Sequence, residues 1–285
     1  MEITNLQKKL IILLSILVGI MVSITFSLYR AIYVNPNNLN VIYQTLQDEA
    51  IPTSLNDVSI LYFTDLEFGE FQNQERTENL FNTIYDLAPD VVIFGGDLYD
   101  SSDQINDENN QLLINYLSKI DAPLGKFAVL DEKDQLDETM LNTVNNIYSN
   151  SQFEILSDIN VKIGNQSTAS IRLIGLSSQP NFEQALSNLS SDEYNLLISH
   201  YPDTLVNETL ASYPISLALA GHSHGTQVTY PIIGGYRSIE NATQLNRSIS
   251  KNLSFDYIIS SGVGCTNVNV RLLSTPEIYY FNLHH

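Results

Sequence analysis

Basic residues are scarce in this sequence: 13 Lys and Arg stand against 32 Asp and Glu, for a formal net charge of -19. A surface so short of cations excludes a domain built to grip nucleic acid backbones. The acidity itself requires no partner, because a solvated carboxylate surface accounts for it. Cysteine is nearly missing. Cys265 stands alone, which excludes an intrachain disulfide and leaves the compartment open, since extracytoplasmic bacterial proteins also do without them. No internal repeat is visible, and local Asn and Ser enrichment is the nearest approach to low complexity. What remains is globular in character, with 44% hydrophobic and 16% charged residues among 285. That length leaves room for one sizeable α/β domain once an N-terminal segment of about 35 residues is set aside.

Only one run is long and free of charge. Ile11 to Leu28 reads IILLSILVGIMVSITFSL, eighteen residues, and Leu10 and Tyr29 extend it towards the length that spans a bilayer. Lys8 and Lys9 precede the run and only Arg30 follows closely, so the positive-inside tendency sets the N-terminus in the cytoplasm and the rest outside. A cleaved signal peptide is the rival, but the run is long for its apolar core and no small-x-small cleavage site follows. A buried core helix would suit a run flanked by domain sequence better. The reading is a single-pass cell-membrane protein with an extracytoplasmic C-terminal domain. Residues 1–9 are its cytoplasmic end, 10–30 its signal anchor, 31–50 a linker (VNPNNL, 34–39) with the first strand, and 51–285 the domain.

Beyond the anchor, short apolar runs alternate with amphipathic stretches. DVSILYFTD (57–65), VVIFGGD (91–97) and KFAVL (126–130) read as strands, and two helical faces lie between them. Leu80, Phe81, Ile84 and Leu87 make the first face; Leu112, Leu113, Tyr116 and Leu117 make the second. After Phe153 strands dominate: VKIG, SIRLIGL, YNLLISH, SLALAGH, TQVTYPI, FDYIISSG and VNVRLL, with one helix near Asn181 to Leu189. Two packed sheets flanked by helices absorb these elements.

Carboxylates and imidazoles gather at the strand ends. Asp65 and Glu67 follow ILYFT, Asp97 follows VVIFGG, and Asp131, Glu132 and Asp134 follow KFAVL; His200 follows NLLIS, and His222 and His224 follow SLALAG. In an open α/β sheet, ligands collect at the carboxyl ends of strands, so these groups converge on one crevice. Of the five histidines, all but His284 and His285 lie at such an end, and three imidazoles beside several carboxylates favour a metal site. GHSHG (221–225) sets two imidazoles in a Gly-flanked turn, and GGDLYD (95–100) places Asp97 where its two oxygens can bridge two cations.

Five ordered segments make the chain resemble the calcineurin-like metallophosphoesterases, whose motifs are D-x-H, G-D-x-x-D, G-N-H-D/E, H-x-P and G-H-x-H. The counterparts are Asp65-Leu66-Glu67, Gly96-Asp97-Leu98-Tyr99-Asp100, Asp131-Glu132-Lys133-Asp134, His200-Tyr201-Pro202 and Gly221-His222-Ser223-His224. The similarity runs from about Ile51 onward, and IISSGVG and TPEIYYFNL look like the tail of the membrane-associated bacterial branch. The resemblance implies an α/β fold, a β-sandwich flanked by helices. It implies one metal held by Asp65, Glu67, Asp97 and His224, and a second held by Asp97, Glu132, His200 and His222. Asp97, His200 and Lys133 take the catalytic roles.

Two ligand positions depart from the pattern, His to Glu67 and Asn to Glu132, and both replacements can ligate through oxygen. Two Asp ligands with two divalent ions leave about +2, whereas four carboxylates bring the sum to about zero. Attraction for phosphate falls, bridging water is acidified less, and preference moves from Zn2+ or Fe towards Mn2+, with Mg2+ and Ca2+ also admitted. Lys133 stands where the family has an acidic His. An ordinary Lys, with a pKa near ~10.4, is a poor proton donor at neutral pH. It either holds a phosphate oxygen or serves as an internal counter-ion in place of a lost metal. The expected activity is hydrolysis of a phosphomonoester or phosphodiester by a metal-bridged hydroxide at the outer membrane face. The alternative is a degenerate fold, with one metal or none, kept for binding or scaffolding.

Overall fold

The computed structural model describes residues 4–165 and 168–285; the first three residues of the expected cytoplasmic end lie outside the described residues. Helix α1 (Asn5–Tyr29) starts at a Thr4 capping box closed by Gln7, and none of its residues is buried. It is long and apolar enough to cross a membrane, with a mean hydropathy of 2.6 over its most apolar window. The chain does not leave it as a free tether. Arg30–Val34 continues as a π-helical turn and Asn35–Asn37 as a 3-10 turn, in which Ala31 and Pro36 respectively are buried. Asn35 Nδ2 donates to the Arg271 carbonyl at 2.8 Å, so the polar segment read as a linker packs on the domain.

Two sheets follow. The first comprises β1 (Asn40–Gln47), β2 (Ser59–Phe63), β3 (Val91–Phe94), β4 (Gly125–Ala128), β5 (Glu154–Ile155) and the late β13 (Glu277–His284), in the order β1-β13-β2-β3-β4-β5. Strands β2 to β5 run parallel, and β13 lies between β1 (parallel) and β2 (antiparallel). Helices α2 (Gln74–Leu87), α3 (Asp107–Ser118) and α4 (Glu138–Asn150) are crossovers of the parallel part, started by the side chains of Asn73, Asn106 and Asp137. The second sheet has the order β12-β9-β8-β7-β6. Its strands are β6 (Ile159–Ile163), β7 (Ile171–Gly175), β8 (Asn195–Ser199), β9 (Leu217–Ala220) and β12 (Asp256–Ile259), with only the β6–β7 pair antiparallel.

Period-two alternation divides each inner strand between two cores. Leu61, Phe63, Val92 and Phe94 face α2–α4, where Phe81 stacks on Tyr116 at 5.1 Å between centroids. Ile60, Tyr62, Val91 and Ile93 face the other sheet and meet Leu173, Leu196, Ile198 and Leu219. The far side of the second sheet is closed by Leu186, Leu205 and Leu210. The molecule is therefore the expected α/β sandwich of two sheets flanked by helices, preceded by one apolar helix.

Three segments are shorter than their sequence patterns predict. TQVTYPI yields only β10 (Thr229–Tyr230), paired with β11 (Gly234–Gly235). The helix near Asn181 is the four-residue α5 (Phe182–Ala185), capped by Asn181. VNVRLL makes a single bridge, Val228 to Leu272, instead of a strand. The reason lies in its centre: Arg271 is fully buried and donates to the carbonyls of His224, Ser261, Gly262, Gly264 and Ser274. Satisfying a buried guanidinium takes precedence over a ladder.

Candidate metal centre

The ends of β2, β3, β4, β8 and β9 meet at one place. Backbone bonds continue past the strands and lace their loops together: Asp65 N to Gly96 O (2.9 Å), Glu67 N to Asp97 O (3.1 Å), Gly221 N to His200 O (3.1 Å) and Gly264 N to Asp65 O (2.8 Å). Two glycines make the approach feasible. A Cβ on Gly96, whose φ is 97°, would stand 2.9 Å from His200 Nδ1, and one on Gly262, φ 65°, would stand 2.6 Å from Asp65 Cβ.

Five of the candidate ligands sit on left-handed backbone: Asp65 (φ 55°), Glu67 (49°), Asp97 (66°), His222 (62°) and His224 (47°). Each such residue costs roughly 1–2 kcal/mol, and strain of this kind concentrates where side chains must be aimed rather than merely packed. The aim is inward. Asp65, Glu67, Asp97, His200 and His224 are all buried. Asp65, Asp97 and His200 bring ligand atoms within 4.8 Å of one another, and so do Glu67, Asp97 and His224. Asp97 belongs to both groups, the bridging place that its motif implies.

The first group fits a cation. Asp65 Oδ2, Asp97 Oδ1 and His200 Nε2 are buried without a hydrogen-bond partner, a costly state unless something positive or donating fills the space between them. His200 Nδ1 lies 2.7 Å from the Gly95 carbonyl. Only the ring can donate there, so in the neutral imidazole Nε2 carries the lone pair that a metal ligand needs. Asp65 is oriented by its Oδ1, which accepts from His222 N at 2.8 Å. Asp131 flanks the group, with Oδ2 3.8 Å from His200 Nε2.

The second group is already engaged. Lys133 Nζ lies 2.8 Å from Glu67 Oε1 and 2.8 Å from Asp97 Oδ2, and His224 Nε2 lies 3.2 Å from the same Glu67 oxygen. Glu67 Oε2 and the shared Asp97 Oδ1 lack a partner there.

The field follows this geometry. Burial pushes Glu67 up to about 7, against the pull of Lys133. Burial also raises Asp97 well above the carboxylate range, with Glu67 and Asp131 adding to it. For Lys133, burial alone would lower the pKa, but Asp97 and Glu67 together hold it above its ordinary value. His200 is likewise raised, its burial outweighed by Asp131, Asp65 and Asp97. Burial lowers His224 to about 4 and, with His200 beside it, His222 to about 3.

Two of the seven sequence-derived ligands stand apart. Glu132 is exposed, and only its backbone N faces inward, donating to the Tyr201 hydroxyl at 3.2 Å. The buried carboxylates from that turn are Asp131 and Asp134. His222 is half-buried and belongs to neither group; its Nε2 faces the Glu240 carbonyl at 2.7 Å. Asp134 fixes the turn by accepting from Asp97 N (3.1 Å), Leu98 N (3.1 Å) and Asp131 N (3.3 Å). Arg271, which holds the carbonyls of the His224 and Gly262–Gly264 loops, was not read as part of the site; an Arg inside an apolar run was its only signal.

No family model matches the chain. It is similar to the metallophosphoesterase YkuE of Bacillus subtilis (strain 168), 26% identical over 268 residues that cover 88% of this chain and 87% of that protein. A metallophosphoesterase of Aquifex aeolicus (strain VF5) is 26% identical over 247 residues, covering 84% of this chain and 90% of the other. The UDP-2,3-diacylglucosamine pyrophosphatase LpxG of Chlamydia muridarum is 22% identical over 249 residues, covering 70% of this chain and 74% of its own.

Proposed function

We propose, from the premise that this chain is a calcineurin-like metallophosphoesterase, as its motifs and curated relatives agree, that it hydrolyses a phosphate ester at the outer face of a cell membrane. The observation that carries the reading is the set of buried, unpartnered ligand atoms on Asp65, Asp97 and His200. A divalent ion bound among them would act as Lewis acid and source of hydroxide, with Mn2+ favoured by a donor set rich in oxygen.

The chain's own groups supply position and charge. The Gly95 carbonyl fixes the His200 ring, and the backbone N of His222 fixes Asp65. Lys133 Nζ has three N–H donors, two of them directed at Glu67 and Asp97. The third is free to meet a phosphoryl oxygen, which makes Lys133 a charge stabiliser rather than a proton donor. The substrate class that suits the N-terminal helix is a phosphate ester presented at the membrane surface, and the pyrophosphate bond named for LpxG is one chemistry of this kind.

The test is cleavage of bis(p-nitrophenyl) phosphate and p-nitrophenyl phosphate by the full chain with Mn2+. Turnover is expected, and Asp97→Asn, which removes a charge from both groups, should reduce it to background. A second reading, a surface binding domain without catalysis, draws on the double ion pair of Lys133. Absence of turnover with every divalent ion tried would favour it.

A further inference from the structure

We infer that the Lys133 ammonium is a built-in member of the cation pair, so that the centre takes one divalent ion, among Asp65, Asp97 and His200, and none at Glu67 and His224. The inference rests on the metal-dependent reading above and narrows it.

Three observations converge. Lys133 Nζ is 2.8 Å from both Glu67 Oε1 and Asp97 Oδ2, and these two carboxylates belong to the group that would otherwise enclose the other ion. An ammonium hydrogen and a divalent ion cannot share the same carboxylate lone pairs at that range. Next, the placement is imposed by the backbone. Asp134, the neighbour of Lys133, accepts from the backbone N of Asp97, Leu98 and Asp131, which fastens the Lys133–Gln135 turn against the Asp97 loop. Finally, the imidazole of this side is engaged as well: His224 Nε2 lies 3.2 Å from the same Glu67 Oε1 that Lys133 holds.

A further divalent ion would have to displace Nζ from two buried carboxylates. Glu67 and Lys133 thus form one compensated change: a carboxylate where the motif has an imidazole, and a fixed cation where it has an acid.

The experiment counts ions in the full chain, held in nanodiscs, saturated with Mn2+ and freed of excess ion, by elemental analysis and by electron paramagnetic resonance. The wild type should retain about one Mn2+ per chain with the six-line spectrum of an isolated ion, and Lys133→Asn should retain about two with an exchange-coupled spectrum. Lys133→Arg, which keeps the cation, should stay at about one. Two ions in the wild type would overturn the inference, as would Lys133→Asn that folds and still holds a single ion. The wild-type count decides by itself if that variant does not fold. Absence of any bound ion in the wild type would instead sink the metal-dependent reading, so the two failures are distinguishable.

Discussion

On one side of Asp97 stand Asp65 and His200, whose inward atoms have no partner; on the other stand Glu67 and His224, bonded to each other, with Glu67 held by Lys133 as well. Both sides are equally buried and both are built on left-handed backbone, with Asp65, Glu67, Asp97 and His224 all at positive φ. The difference lies in whether the charge is answered from within the chain. A side left open stores electrostatic free energy that a ligand can release, whereas a closed side has already spent that energy on holding the fold. Function is therefore expected from the Asp65 side and stability from the Glu67 side, although the motifs treat the two as equivalent.

The sharpest break comes from the imidazoles. His200→Ala should weaken Mn2+ binding by more than about 100-fold, beyond the range typical of groups that only support a ligand, and His224→Ala by less than about 10-fold. Equal losses in an isothermal titration would erase the distinction. A smaller contrast is expected in stability. In metal-free protein, Glu67→Gln should lower the unfolding free energy by about 1–3 kcal/mol, a value reduced from that of a fully buried pair because the Lys133 side chain is 40% exposed. Asp65→Asn, which removes an unanswered buried charge, should leave stability unchanged or raise it; chemical denaturation of both variants reads the sign. The smallest effect belongs to Glu132→Ala. Because its side chain is exposed, stability should stay within about 0.5 kcal/mol of wild type, with metal content unchanged by elemental analysis.

Much of this was legible in the residues. Apolar runs such as ILYF and VVIF are fully buried strands, and the groups following them meet because parallel strands end on the same side of a sheet. The order of motifs likewise named Asp65, Glu67, Asp97, His200 and His224, which the fold brings together. Glu132 lies exposed and Asp131 buried because adjacent residues in a tight turn point in opposite directions, and no pattern of hydrophobicity shows which of the two faces inward. Arg271 escaped for a related reason: the carbonyls it satisfies come from residues up to 47 positions away, and such long-range pairing leaves no local trace. The role of Lys133 was open in sequence because both readings needed a cation there; its ion pairs with Glu67 and Asp97 become visible only in the fold.

The insertion of β13 between β1 and β2 bears on how the protein is made. Its register spans Asn40–Gln47 on one side and Ser59–Tyr62 on the other, so these early strands are joined only when Glu277–His284 has been synthesised. Until then β2 presents an unpaired edge, the kind of surface that invites pairing with another chain. A ribosome adding about 5–20 residues per second would leave that edge open for roughly ten seconds or more. A chain that opens with a helix long and apolar enough to cross a membrane passes that interval with its first sheet incomplete.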